Sequence, residues 1–321
     1  MNQCEIAKKL GISQSAVSLV LRDPTTTRVS AEKKELIIHC LKSNVNANAS
    51  GCKRTWNIGY LTDPTQNIHS EFFQSSLHGA EEESAHCHYN LILECLRNSN
   101  INLLRKNKVD GLIVRSGKVL EVLKESSSSL PAVLLNCSTD ILQYDAVMPD
   151  NRGGMFKIAA YLAQRGCENV VFFCLRDSYS PYSCNYQERR NAFGDACGVY
   201  GIVPEFIDIP MPVGAVETED FIRNILPESQ LPDAVVSVNH FYAAVTKRVF
   251  PQLTVAAGDN KMERGFENDC FPMLVQDGVS MGKMAVELLM KRIIDPERKP
   301  VRVTCDMDLK TGGCYENRQF E

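Results

Sequence analysis

"EIAKKLGISQSAVSLVLRD", residues 5–23, holds two short apolar periods separated by a glycine. Ile6, Ala7 and Leu10 recur at helical spacing and would bury one side of a first helix. Gly11 ends that helix, Ile12–Ser13 makes a tight turn, and Ser13 can cap the next helix. In the second helix Ala16, Val17, Val20 and Leu21 form an inward stripe. Gln14, Ser15, Ser18, Leu19 and Arg22 are left pointing away. Two short helices across a turn of about three to four residues, with small polar residues opening the second, fit a DNA-reading helix-turn-helix. A plain helical hairpin shows the same apolar spacing, so other parts of the chain have to separate the two.

Charge distribution favours DNA. The 321-residue chain is 44% hydrophobic and 23% charged, ordinary for a globular protein, with a net charge of −4. Residues 1–55 hold nine Lys/Arg against four Asp/Glu, a surplus of five, which leaves −9 on the other 266 residues. A basic head on an acidic body suits a protein that binds phosphate with one end only. The start "MNQCEIAKKL" runs into an amphipathic helix rather than an apolar core, so no secretory signal is read there. The longest apolar run, "VVFFCL" at 170–175, is far too short to span a bilayer. Thirteen cysteines, an odd number without a C-x-x-C pair, fit reduced thiols in a cytoplasmic protein.

Within the head a third helix is expected over "SAEKKELIIHCLKSN", capped by Ser30 and buried along Leu36, Ile37, Cys40 and Leu41. The polar stretch 44–55 reads as a linker or weak helix. From Trp56 onward short apolar strands alternate with amphipathic segments: "NIGYL", "EFFQSSLHGAEEESAH", "YNLILECL", "INLLRKNK", "VDGLIVRS", "VLEVLKESSS", "PAVLLNC", "DAVMPD" and "GGMFKIAAYLAQRG". The alternation restarts near 167 with "NVVFFCL" and runs to the helix "GVSMGKMAVELLMKRII". Such alternation implies parallel sheets with helices on both faces, and the restart implies two lobes.

The order and spacing of several segments together resemble the LacI/GalR family of bacterial transcriptional regulators over nearly the whole chain. They are "EIAKKLGISQSAVSLVLR" with "VSAEKKELI" and "NAN", then "IGYL…EFF", "VDGLIV", "P-AVLLN", "DNRGG", "ERRNAF", "VN", "AGDN" and "LVQD". The resemblance implies an α/β protein with an N-terminal three-helix helix-turn-helix domain over 1–45, a hinge over 46–56 and a two-lobed, type I periplasmic-binding-protein-like effector domain over 57–321. The N-lobe would take about 57–152 and 278–306, the C-lobe about 153–277 and 307–321. It further implies a homodimer on a partly palindromic double-stranded operator, modulated by a small-molecule effector, with no membrane, metal or cofactor involved.

The family's positions map residue by residue. Gln14 and Ser15 fall on the specificity positions of the recognition helix, where Gln can bond an adenine edge in two places. Ser13 and Ser18 suit phosphate contacts. Leu19 replaces the Arg of many relatives and cannot bond guanine, while Arg22 remains on the outward face. Aligning "NAN" puts Cys52 at the position where relatives carry a minor-groove Leu wedge, after Gly51, with Lys53 and Arg54 supplying backbone attraction. Gly51 and the smaller Cys52 imply a hinge helix that forms less readily and bends DNA less. The family's effector pocket falls on Phe72, Phe73, Ser116, Asp150, Arg189, Asn239, Asp259 and Gln276. An aromatic pair offers a stacking wall, although core packing competes for it. Arg189 and Asp259 offer a forked donor and a charged acceptor, with Asp150 opposite. A sugar or sugar derivative is the expected effector. His240 stands where relatives carry Asp, and 208–216 lacks a clear aromatic lid.

Two other functions compete. An enzyme on the same body would leave the basic head unexplained, and the chain has no G-x-S-x-G, G-x-x-x-x-G-K-[ST] or G-x-G-x-x-G. A solute-binding protein would need export. "HCH" at 86–88 reads as a helix terminus rather than a metal site.

Overall fold

Gly11 takes a left-handed backbone (φ +64°), the turn that lets two helices of the head fold back on each other. A computed structural model describes residues 3–45, 54–64, 68, 70–97, 101–104, 108–126, 128–137, 143–175, 184–210, 214–259 and 271–311. Helices α1 (Gln3–Leu10), α2 (Gln14–Arg22) and α3 (Ala31–Val45) form the head. Ser13 caps α2, its hydroxyl oxygen accepting from the Ala16 amide at 3.2 Å. Ile6, Ala7, Val17 and Val20 are buried against α3 as the apolar spacing requires. On α3 the buried stripe is Ile37, Ile38, Cys40 and Leu41, whereas Leu36 is 49% exposed. The apolar run "LII" offers two overlapping faces, and the position of Val17 and Val20 selects the one containing Ile38. Cys52 and Lys53 lie outside the described residues.

The body alternates β1 (Asn57–Thr62), α4 (Glu71–His86), β2 (Asn90–Cys95), β3 (Gly111–Val114), α5 (Gly117–Glu125), β4 (Ala132–Leu135) and β5 (Asp145–Pro149). It continues with α6 (Asn151–Ala163), β6 (Asn169–Leu175), α7 (Cys184–Tyr200), β7 (Val203–Ile209), α8 (Ala215–Ile225), β8 (Ala234–Ser237), α9 (His240–Val249) and β9 (Thr254–Ala257). The last described elements are β10 (Met273–Gln276), α10 (Gly278–Ile294), β11 (Arg302–Cys305) and β12 (Met307–Lys310). Among the described residues two six-stranded sheets form, ordered β11-β5-β4-β3-β1-β2 and β12-β10-β9-β8-β6-β7. Every pairing is parallel except β10 with β12. The fold is therefore two-lobed α/β of the type I periplasmic-binding-protein kind.

Three segments depart from the sequence reading. The described residues of "INLLRKNK" form a single 3-10 turn, Asn102–Leu104, which Ile101 and Leu103 anchor to the core. Strands β11 and β12 are too short and too polar to show a period. The antiparallel β12 breaks an otherwise parallel second sheet, since only one residue, Asp306, separates it from β11 in the first.

Helix α10 returns to the first lobe and packs on α4 at close range. Glycines allow it: a Cβ on Gly79 would run into the Val279 carbonyl, and one on Gly282 into the Ser76 carbonyl. This crossing fixes the α4 N-terminus, and with it Phe72 and Phe73, at the end of the sheet where ligands of such folds sit. Among the described residues no helix is long and apolar enough to cross a membrane.

Candidate effector cleft and DNA-reading head

Strand ends that become helix N-caps frame the space between the lobes. Ser116 caps α5, accepting from Val119 N at 3.4 Å while its hydroxyl donates to the Asp63 carboxylate. Asp150 caps α6 through Gly153 N at 2.9 Å, and Asn239 caps α9 through Tyr242 N at 3.0 Å. These three expected ligand contacts therefore also hold their own helices. Asp150 in particular does not stand as a free acceptor facing Arg189; Asn151, the next residue, takes that place.

Arg189 is the centre of the second lobe's wall. Its side chain is 1% exposed, and Nη1 donates to Asp259 at 2.8 Å, with Nε donating to Asn151 Oδ1 at 2.9 Å. Gln276 donates to the other oxygen of Asp259 at 2.5 Å. Asn151 donates to Asn185 at 2.9 Å and to Glu188 at 2.7 Å. Asn185 in turn reaches the first lobe, donating to Asn136 Oδ1 at 2.9 Å. One polar chain thus runs Asn136–Asn185–Asn151–Arg189–Asp259–Gln276 from lobe to lobe. Asn136 holds a left-handed backbone (φ +55°), a conformation Asn tolerates better than most residues. Burial pushes the Tyr186 hydroxyl up to about 12, Asp259 acting in the same sense and Arg189 against it. Tyr186 is a neutral donor across the physiological range.

The expected aromatic wall is occupied. Phe72 and Phe73 are both buried in the first lobe's core, and the Arg115 guanidinium lies 5.1 and 4.9 Å from their ring centroids. Arg115 follows β3 directly and is 6% exposed. Burial pulls its pKa down; Tyr60, Cys137, Asp259 and Asp63 pull the other way. Because Asp259 belongs to the opposite lobe, Arg115 is within electrostatic reach of both walls. The ring faces expected to form a stacking wall are thus shared with the Arg115 guanidinium. Sequence reasoning missed Arg115, Asn136, Asn151 and Asn185. The available signal for Arg115 was a charged residue in "IVRS", between a buried strand and a Ser N-cap.

In the head, Ser13, Gln14, Ser15, Ser18 and Arg22 are exposed. Ser15 Oγ donates to Ser13 Oγ at 3.0 Å, so the opening turn of α2 is internally braced. Leu19 is half-buried on the apolar centre, not outward-facing, and with Arg22 and Ile294 of the body it lines an open cleft of about 610 Å³. Arg54, expected on the DNA backbone, donates to the Tyr89 hydroxyl and to the Arg22 carbonyl, each at 2.9 Å. A guanidinium beside a buried phenol and a helix-terminal carbonyl finds acceptors within the protein, which explains its inward turn. Among the described residues no group of three potential metal ligands occurs.

Comparison with known proteins agrees with this architecture. Residues 55–292 match the family described as periplasmic binding proteins and sugar binding domain of LacI family. The HTH-type transcriptional repressor PurR of Photobacterium profundum is 25% identical over 319 residues, 91% of each chain. The HTH-type transcriptional regulator RegA of Clostridium saccharobutylicum is 26% identical over 211 residues, 60% of each. Among solved structures, a transcriptional regulator CelR–cellobiose complex superposes with a TM-score of 0.65 at 17% identity, covering 98% of this chain and 99% of that one. The Lac repressor bound to ONPG gives 0.65 at 16% identity, covering 96% and 97%. With its helix-turn-helix head, two parallel-sheet lobes and matching family model, this chain belongs to the LacI/GalR family of effector-modulated, DNA-binding transcriptional regulators.

Proposed function

We propose that the chain is a repressor that binds a partly palindromic operator as a homodimer in the cytoplasm, and that a sugar or sugar derivative in the inter-lobe cleft modulates it. The observation that carries this reading is the exposed Gln14–Ser15–Ser18 face opening α2, on a head with a surplus of five positive charges. Gln14 and Ser15 read bases, Ser18 contacts phosphate, and the half-buried Leu19 adds no guanine preference. Lys53 strengthens backbone attraction, and Cys52 is a weaker wedge than Leu. In the cleft, the chain of amides and carboxylates around Arg189, with Asn239, Ser116 and Arg115, presents paired donors and acceptors that suit the hydroxyls of a sugar. The solved CelR complex holds cellobiose. The cleft has a binding role here, not a catalytic one.

Binding of the full-length chain to a duplex selected from random-sequence DNA is expected to weaken steeply with salt and to vanish when residues 1–55 are removed. Gln14→Ala should cost about 1–3 kcal/mol at one half-site position and relax preference there. Fluorescence anisotropy across a salt series reads all three effects. A salt-independent complex, or one that survives the truncation, would remove the regulator reading.

A further inference from the structure

The chain enters the body at Thr55 and Trp56, and one carboxylate receives it. Asp110 Oδ1 accepts from the Thr55 amide at 2.7 Å and from its hydroxyl at 3.0 Å, while Oδ2 accepts from the Trp56 amide at 3.0 Å. Trp56 is 1% exposed and holds a left-handed backbone (φ +58°), a conformation that a bulky side chain adopts only when its surroundings impose it. Its ring packs on Tyr89 with centroids 5.4 Å apart. Arg54, separated from the start of β1 at Asn57 by Thr55 and Trp56, bridges that same Tyr89 to the carbonyl of Arg22, the last residue of the recognition helix. The connected path is therefore Asp110, Thr55–Trp56, Arg54 and α2. Its far end is rigid, because Asp110 immediately precedes β3, a fully buried strand between β1 and β4. That strand ends in the cleft at Arg115 and Ser116, about 20 Å away at the usual rise per residue.

We propose that Asp110 is a positioning residue for DNA binding: its carboxylate, by imposing the Trp56 turn, fixes the direction in which the DNA-reading head leaves the body. The inference rests on the reading of the chain as a DNA-binding regulator. No contact between Asp110 and DNA is involved; the residue acts through Thr55, Trp56 and Arg54.

Trp56 is the only tryptophan in the chain, so the joint reports on itself. The test compares full-length wild type with Asp110→Ala and Asp110→Glu, using the duplex that wild type selects from random-sequence DNA. In Asp110→Ala, Trp56 should become more accessible to acrylamide quenching. Affinity for the duplex should fall by about ten-fold or more, as expected when a charged acceptor of three hydrogen bonds is lost. Asp110→Glu restores the carboxylate and should recover part of both. Measurement well below the melting temperature of each variant separates this from simple unfolding. Asp110→Ala binding the duplex as tightly as wild type would overturn the proposal. So would an affinity loss without change at Trp56, or one that only follows the fraction unfolded. A wild-type chain that selects no duplex at all fails the regulator reading itself, and this proposal with it.

Discussion

Arg189→Ala should abolish most effector binding and destabilise the second lobe at the same time. The side chain is buried and paired with Asp259 at 2.8 Å, whose own side chain is only 15% exposed. Truncation leaves that carboxylate with the Gln276 amide as its remaining partner in the polar chain and strips Asn151 Oδ1 of its donor. Breaking such a pair from one side typically costs about 3–5 kcal/mol, because a charge stays behind in a poorly solvating site. Loss of a charge-assisted contact to ligand adds about 2–5 kcal/mol in binding. Lysine is a poor replacement, since a point charge cannot bond Asp259 and Asn151 together as the guanidinium fork does. Urea unfolding of Arg189→Ala, Asp259→Ala and the double variant isolates the pair: the double should lose less than the two singles summed. Additive losses, or a wild-type midpoint for Arg189→Ala, would show that the pair does not hold the site. Calorimetry with any sugar that shifts the melting of wild type then measures the binding part.

That double role was not legible from the sequence, and the reason is geometric. Apolar period fixes which face of a segment is buried, so the head, the strand–helix alternation and the two lobes followed from residues such as Ile6, Val17, Val133 and Val235. Family likeness put Arg189, Asp259 and Gln276 in one pocket, and these three do lie together. It could not say that Arg115 covers Phe72 and Phe73, because the two aromatics are adjacent on α4 while the arginine follows β3, 42 residues after Phe73. Nor could period alone place Leu19, which sits at the edge of the apolar stripe and packs on an apolar cluster that contains residues of both head and body. Polar residues reveal their partners only through long-range contacts: Asn136 and Asn151 lie within the quoted segments "P-AVLLN" and "DNRGG" without any local sign of what they bond, and Asn185 lies in no quoted segment.

Asp145 carries the second large expected effect, in the first lobe. It opens β5 with a fully buried side chain. Oδ2 accepts from Arg292 Nε at 3.0 Å and from Arg298 Nη1 at 3.3 Å, and Oδ1 accepts from the Val301 amide at 2.9 Å. Arg292 lies in the last turn of α10, where a cation is also favoured by the helix dipole, and Arg298 and Val301 lead into β11. One carboxylate therefore ties the end of α10 and the entry of β11 to the rest of the sheet. Alanine here would leave two largely buried guanidinium groups without their shared anion, at a cost of about 3–5 kcal/mol. Asparagine keeps an acceptor for Val301 and removes only the charge, so its cost should be smaller. The consequence reaches beyond stability, because β11 continues through the single residue Asp306 into β12 of the other sheet. A loosened β11 gives up part of the alignment between lobes on which the cleft depends. Asp145→Ala should accordingly melt several degrees below wild type and bind effector more weakly, while Asp145→Asn falls between them. If alanine and asparagine variants melt together with wild type, the two arginines are held by solvent and not by Asp145.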